Sequence, residues 1–186
     1  MKFLFASDSL KGTLSSDDTG RLLTQAAKEI FPACICESIP VADGGEGTAD
    51  AVIRAVQGQQ IWVKAQDPLM QTRETYYGKL DENRAIIEMA LASGYALVPA
   101  EKRNPLYTSS YGTGELIRDA FDRGFRDITI AIGGSATNDG GMGCMRALGV
   151  RFLDREGEEL MGNGSDLKRL AKIDDSGLDP RIAETV

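Results

Sequence analysis

The sequence predicts an α/β fold, and three features of its patterning carry that prediction. In the first 58 residues a strand-like run, a polar loop and an amphipathic helix occur twice in succession, the signature of parallel strands joined by helical crossovers. Three further strand-like runs follow with only short turns between them, which implies antiparallel hairpins. A later apolar run, Ile128 to Ile132, opens abruptly into a glycine-rich loop, as buried strands do at the carboxyl edge of open α/β sheets.

The elements follow in order. Lys2 to Ala6 reads as a short buried strand. Ser15 precedes Asp18 by three residues, a capping-box spacing, and begins a helix with Leu22, Leu23, Ala26, Ala27, Ile30 and Phe31 on one face; Pro32 marks its end. Cys34 to Val41 is a second strand. A helix through Ala49, Val52, Ile53 and Val56 is stopped by Gly58. The texture changes near residue 60, where a domain boundary is expected: residues 1–60 begin a parallel-sheet domain and 61–186 belong to a second α/β unit. The hairpin runs are Gln60 to Ala65, Glu74 to Lys79 and Arg84 to Met89, turned at Asp67-Pro68 and Asp81-Glu82-Asn83. Glu115 to Asp122 is expected to be a helix capped by Thr113 and closed by Gly124. Gly141 to Leu148 reads as another, and Val150 to Leu153 as a strand. From Met161 the chain is polar and poorly periodic, with a new strand starting near Glu184-Thr185-Val186.

Bulk properties narrow the function. The 186 residues carry a formal charge of −7, which argues against nucleic-acid or anionic-membrane partners, since both attract a basic face. The amino-terminal apolar run is too short for a signal peptide, and no run reaches a membrane span. Cys34, Cys36 and Cys144 are odd in number and match no C-x-x-C spacing, as expected of reduced packing residues in a cytoplasmic protein. There is no histidine, so a general base must be a carboxylate, lysine, tyrosine, cysteine or water. Neither the P-loop nor the dinucleotide glycine fingerprint occurs; Gly45-Glu46-Gly47 is followed by Asp50 where the third glycine should stand.

Four segments hold residue types suited to chemistry. Ile130 to Gly143 combines glycines with Ser135, Thr137, Asn138 and Asp139. Its backbone N–H groups could converge on an anion, and its carboxylate suits Mg²⁺. Asp8-Ser9-Leu10-Lys11 follows the first strand and offers a carboxylate, a hydroxyl and a cation near a helix start, or simply a surface turn. Asp43-Gly44-Gly45-Glu46-Gly47-Thr48 holds the equivalent place after the second strand; its carboxylates suit Mg²⁺ or polar ligands, or Thr48 merely caps the helix. Arg103 to Gly114 is rich in hydroxyls, most of them expected to bond local backbone, with Arg103 a candidate carboxylate or phosphate clamp. Glu88, inside an apolar strand, is either paired and buried or pointed at a site.

Together these segments resemble the glycerate kinase family of the bacterial type. The likeness lies in Asp8-Ser9 with Lys11, Val41 to Thr48, Ile87 to Ala90 with Ala92-Ser93-Gly94, Tyr111 to Ile117, Ile132 to Gly141, and Ser176 to Arg181. It runs through nearly the whole chain; Ser7 departs from a usual proline, and Tyr111 lies at a variable position. The resemblance implies the start of a flavodoxin-like parallel sheet followed by an inserted mixed-sheet α/β domain, in a chain of about half the family's length. The expected partner is therefore a missing C-terminal half or a second copy of the chain.

The implied reaction is transfer of the γ-phosphoryl of Mg²⁺·ATP to D-glycerate, giving 2-phosphoglycerate or, in other relatives, 3-phosphoglycerate, with the former favoured. Such chemistry is mostly positioning and charge neutralisation. Ser135, Asn138 and nearby N–H groups would hold phosphate or glycerate oxygens. Asp43 or Asp139 would bind Mg²⁺ or act as base, and Lys11 would offset charge. Asp8, Ser9, Gly44, Gly45, Glu46, Arg103, Thr113, Gly133 and Gly134 complete the expected binding set. The alternatives are a truncated, non-catalytic half of such an enzyme, an α/β nucleotide or flavin module using Tyr111 to Gly114, and a kinase for a related small polyol.

Overall fold

The computed structural model describes residues 1–10 and 13–186, so the candidate Lys11 lies outside the described residues. Strands β1 (Lys2–Ser7) and β2 (Ile35–Pro40) pair in parallel, Lys2 opposite Ile35 and Ser7 opposite Pro40. The crossover is helix α1 (Ser16–Ile30). Ser15 caps it as its spacing implies: Oγ accepts from the Asp18 amide at 3.0 Å and donates to the Asp18 carboxylate at 2.7 Å. Helix α1 covers the face that carries Phe3 and Phe5; Phe31 at its end meets Phe3 with ring centroids 5.7 Å apart. Among the described residues the opposite face is bare. Leu4 (59%), Ile35 (63%) and Ile39 (53%) are exposed there, although parallel strands normally have both faces covered.

Helix α2 (Thr48–Val56) packs on a different sheet, with Ala49 and Ile53 against Ile86. It ends at Val56, where Gln57 turns left-handed with φ of +56° and the following Gly58 N–H donates to the Ile53 carbonyl at 2.8 Å. Thr48 is its first residue and Gly47 its cap, so Thr48 is not the cap; the Thr48 hydroxyl instead accepts from the Gly44 amide at 3.1 Å.

The sheet beneath α2 has the order β3 (Gln59–Gln66), β4 (Thr72–Lys79), β5 (Arg84–Glu88), β6 (Asp127–Ala131). The first three are antiparallel neighbours, as the short turns require; β5 and β6 are parallel. Between them run the short helix α3 (Ala90–Ser93) and helix α4 (Tyr111–Asp122). On the face away from α2, Leu116, Ala120 and Phe121 of α4 join Ala65, Tyr77, Ala85 and Ile87 in the main core. Burial of these side chains is the chief favourable term holding the unit together. The Tyr77 hydroxyl is satisfied by Asp119 at 2.9 Å.

Helix α4 begins four residues earlier than the sequence suggests, with Ser110 rather than Thr113 at its cap. Thr113 is buried inside the helix, its hydroxyl 2.7 Å from that of Ser93. Helix α5 (Met142–Ala147) and strand β7 (Arg151–Leu153) fall where expected. Strand β8 (Lys172–Asp174), antiparallel to β7, does not register in the sequence pattern. It lies at the surface, with Ile173 57% exposed, beside a small satellite core of Met142, Val150, Phe152 and Leu160. At the chain's end Val186 exchanges backbone bonds with Arg126 and Ile128 beside β6. No helix among the described residues is long and apolar enough to cross a membrane.

Candidate active site

Because β5 and β6 are parallel, the segments leaving them emerge on one sheet edge, the place where such sheets bind ligands. The loop after β6 threads between two others. On one side the Gly133 N–H donates to the Gly44 carbonyl at 2.7 Å. On the other, Tyr95 N–H donates to the Gly134 carbonyl at 2.8 Å and Ala136 N–H to the Ser93 carbonyl at 2.9 Å. The two glycine motifs are thus in backbone contact. Gly133 permits it: a Cβ there would stand 2.6 Å from Gly45 Cα and 2.7 Å from the Gly44 carbonyl oxygen. Gly134 serves differently, with φ of +74° at the turn, a conformation costly for other residues.

Glu88, at the end of β5, fixes the second loop from below. It is buried, and its carboxylate accepts from Gly47 N–H at 3.1 Å and Ala49 N–H at 2.9 Å. Burial pushes its pKa up, while the same two amides pull it back. The sequence left Glu88 open between pairing and a site; here it is paired, and its charge answers the start of α2 from inside the protein.

Asp139 is equally enclosed. Its Oδ2 accepts from Ser110 N–H at 2.7 Å, Ser110 Oγ at 2.8 Å and Gly143 N–H at 3.2 Å, and its Oδ1 from Gly141 N–H at 2.9 Å. Only 2% of the residue is exposed. Donors on both oxygens tie the start of α5 to the start of α4. Thr108 and Ser109 are also buried and bonded to the Ala136 and Gly162 carbonyls, so the hydroxyl-rich segment serves mainly as internal bracing, through distant partners rather than the local backbone expected.

Two cavities flank the joined loops. One, of about 290 Å³, is lined by Ser9, Leu10, Ser16, Val41, Glu46 and Gly47 among others. The second, of about 310 Å³, is lined by Tyr95, Arg103, Asn104, Thr108, Ser135 and Thr137 among others. Ser9 and Glu46 therefore share one cavity, and Arg103 and Ser135 the other. Asp43 is exposed, its Oδ1 accepting from Gly45 N–H at 2.9 Å. Asp8 accepts from its neighbour Ser9 N–H at 2.7 Å, a local turn. Asn138 is exposed, Thr113 is buried in the α3–α4 contact, and neither lines the second cavity. Among the described residues no group of three His, Cys, Asp or Glu side chains forms a metal cage.

Tyr95 and Asn104 were not singled out from sequence. Tyr95 directly follows the Ala92-Ser93-Gly94 segment and Asn104 directly follows Arg103; adjacency was the available signal, but neither residue type is distinctive in a loop.

Comparison with known proteins agrees with this architecture. The model of the glycerate kinase family matches residues 3–186. The chain is 47% identical over 182 residues to a glycerate kinase of Halalkalibacterium halodurans, covering 97% of this chain and 48% of that protein. It is 48% identical over 187 residues to the glycerate 2-kinase of Escherichia coli K12, covering 100% and 49%. A crystal structure from Salmonella typhimurium LT2 that carries the name glycerate kinase 2 superposes with a TM-score of 0.79 at 45% identity, over 100% of this chain and 50% of the other. The chain spans about half the length of the curated relatives it matches. On these matches the chain belongs to the glycerate kinase family.

Proposed function

We propose that the protein transfers the γ-phosphoryl of ATP to D-glycerate with Mg²⁺, giving 2-phosphoglycerate, and that residues 1–186 supply the rim on which the substrates meet. The observation that carries this reading is the backbone contact between Gly133 and Gly44. It sets two glycine-rich loops side by side with a cavity on either flank. Family membership supplies the reaction class; the relatives are named for glycerate phosphorylation.

Phosphoryl transfer needs two anionic reactants held in line and their charge offset. Ser135, Asn138 and the free N–H groups of their loop take phosphate or glycerate oxygens. Ser9 and Glu46 hold polar groups in the first cavity, while Arg103 clamps an anion in the second. Lys11, three positions after Asp8 in the sequence, would serve as a further charge partner. Mg²⁺ delivered on nucleotide phosphates needs only one or two protein carboxylates. Asp43 fits that need, being exposed with Oδ1 alone engaged among the described residues. Bound there, the ion would neutralise charge on the phosphate oxygens. Alternatively, Asp43 would act as the base that takes the proton of the attacking hydroxyl. We assign Asp139 a bracing role, because its oxygens already accept from three residues. The division near residue 60 and a cytoplasmic location belong to the same reading.

A second reading is that the 186-residue chain alone is a non-catalytic half. The uncovered face of β1 and β2 favours it, since Leu4, Ile35 and Ile39 need a covering layer. One pair of assays separates the two: D-glycerate-dependent ADP release from Mg²⁺·ATP, with L-lactate as a control lacking the primary hydroxyl, and binding of each substrate. Release with glycerate alone is expected of a kinase. Binding without release is expected of the half enzyme. Absence of both contradicts both.

A further inference from the structure

The two cavities beside the joined loops differ in the charge of their described lining residues, and that difference bears on which reactant each takes. The cavity between the β6 loop and the Tyr95–Thr108 segment contains one fixed cation and, among the described residues, no acidic lining residue. Its cation is held in place. The Arg103 carbon Cζ sits 4.0 Å over the centre of the Tyr95 ring, Nε donates to the Val98 carbonyl at 3.0 Å, and Nη1 donates to the Tyr95 hydroxyl at 3.2 Å. A guanidinium has five N–H donors, so most remain for a ligand, on a head group whose plane is already set by ring and carbonyl. The facing wall carries Ser135 Oγ and Thr137 Oγ1, 2.9 Å apart, a hydroxyl pair able to donate to and accept from alcohols.

We infer that this cavity is the subsite for glycerate: Arg103 receives the carboxylate, and Ser135 and Thr137 meet the alcohol groups of a small 2-hydroxy acid. The assignment rests on the kinase reading above. A single guanidinium matches a monoanion better than a triphosphate. The Tyr95 face beneath Arg103 is taken, so it offers no stacking surface there for a nucleobase. About 310 Å³ accommodates a three-carbon acid. The cavity on the other side carries, among the described residues, Glu46 and four hydroxyl side chains beside Leu10, Leu14 and Val41; a carboxylate there suits a bare carboxylic acid poorly.

Titration calorimetry of the 186-residue chain tests the assignment with D-glycerate, glycerol and Mg²⁺·ADP as separate probes. D-glycerate should bind and glycerol, lacking the carboxylate, should not. Arg103→Ala should weaken D-glycerate by about 10-fold or more and leave Mg²⁺·ADP unchanged. Arg103→Lys, which keeps the charge but not the planar fork, should fall between and guards against a fold defect in the alanine variant. If Arg103→Ala leaves D-glycerate binding intact, or weakens Mg²⁺·ADP in its place, the subsite assignment is overturned while the kinase reading stands. If the unmodified chain binds neither D-glycerate nor Mg²⁺·ADP, both fall.

Discussion

The amide of Gly133 and the carbonyl of Gly44 are 2.7 Å apart, so segments nearly ninety positions apart share one backbone contact. No side chain fits between them, because a Cβ at Gly133 would meet Gly45 Cα at 2.6 Å. Backbone cannot swing aside as a long side chain can. Gly133→Ala should therefore cost about 1–3 kcal/mol, the usual range for forced overpacking. It should also weaken ligand binding at both flanking cavities. Chemical denaturation read beside calorimetry checks this; wild-type values in both would show the loops to be independent.

Glu88 gives a prediction with a pH signature. Glu88→Ala leaves the buried amides of Gly47 and Ala49 without their acceptor and should cost ~2–4 kcal/mol. Glu88→Gln keeps one acceptor oxygen and should lose about half as much. Burial raises the Glu88 pKa in the folded chain above its ordinary value of 4.5. The folded state then holds the proton more tightly than the unfolded one. This group's contribution to stability consequently declines as pH rises from 4.5 through the raised folded value. Glu88→Gln should flatten that decline in melting temperature against pH; an unchanged slope would place its origin elsewhere.

Asp139 separates bracing from catalysis. Asp139→Asn turns an amide toward the N–H groups of Ser110, Gly141 and Gly143, and should cost ~2–4 kcal/mol from donors left unpaired. Any D-glycerate-dependent ADP release should fall no further than the folded fraction does. A loss of 10²-fold or more in a variant that melts like wild type would instead mark Asp139 as a reacting group.

The β4–β5 turn should show in acid. Asp81 has its pKa lowered to about 2, first by the Asn83 amide and then by the Arg84 guanidinium and amide, which it accepts at 2.9, 2.6 and 2.8 Å. Its folded pKa lies below the unfolded value, so its contribution is present above pH 3.8 and is lost as pH falls toward 2. Asp81→Asn should remove that part of the acid dependence and leave the curve above pH 5 parallel to wild type. An Asn variant with unaltered acid sensitivity would rule the turn out as its source.

The fold was legible in sequence where one element's own pattern decides it. The Ser15–Asp18 cap, the stop at Gly58 and the turns at Asp67 and Asp81 are local chemistry. Strand β8 was not legible, because three mostly exposed residues carry no period and their order comes from pairing with β7. The start of α4 was misplaced for a related reason: glycine-flanked Thr113 looks like a cap, yet Ser110 caps while Thr113 pairs with Ser93, a partner twenty residues away. The candidate site was legible as motifs and not as geometry. Asp43 and Asp139 look alike in a string of glycines, but one is exposed and the other is enclosed by α4 and α5. The tertiary contacts of Gly134 with Tyr95 and of Gly133 with Gly44 put Ser135 beside the Arg103 segment on one side and the Glu46 loop on the other.

The most direct test of the shared rim is amide-resolved NMR of the chain titrated with D-glycerate. Shifts are expected at Gly134, Ser135 and Thr137 and at Asn104, with the β7–β8 hairpin unmoved. Saturation with no change at those amides, or changes confined to that hairpin, would contradict the shared rim.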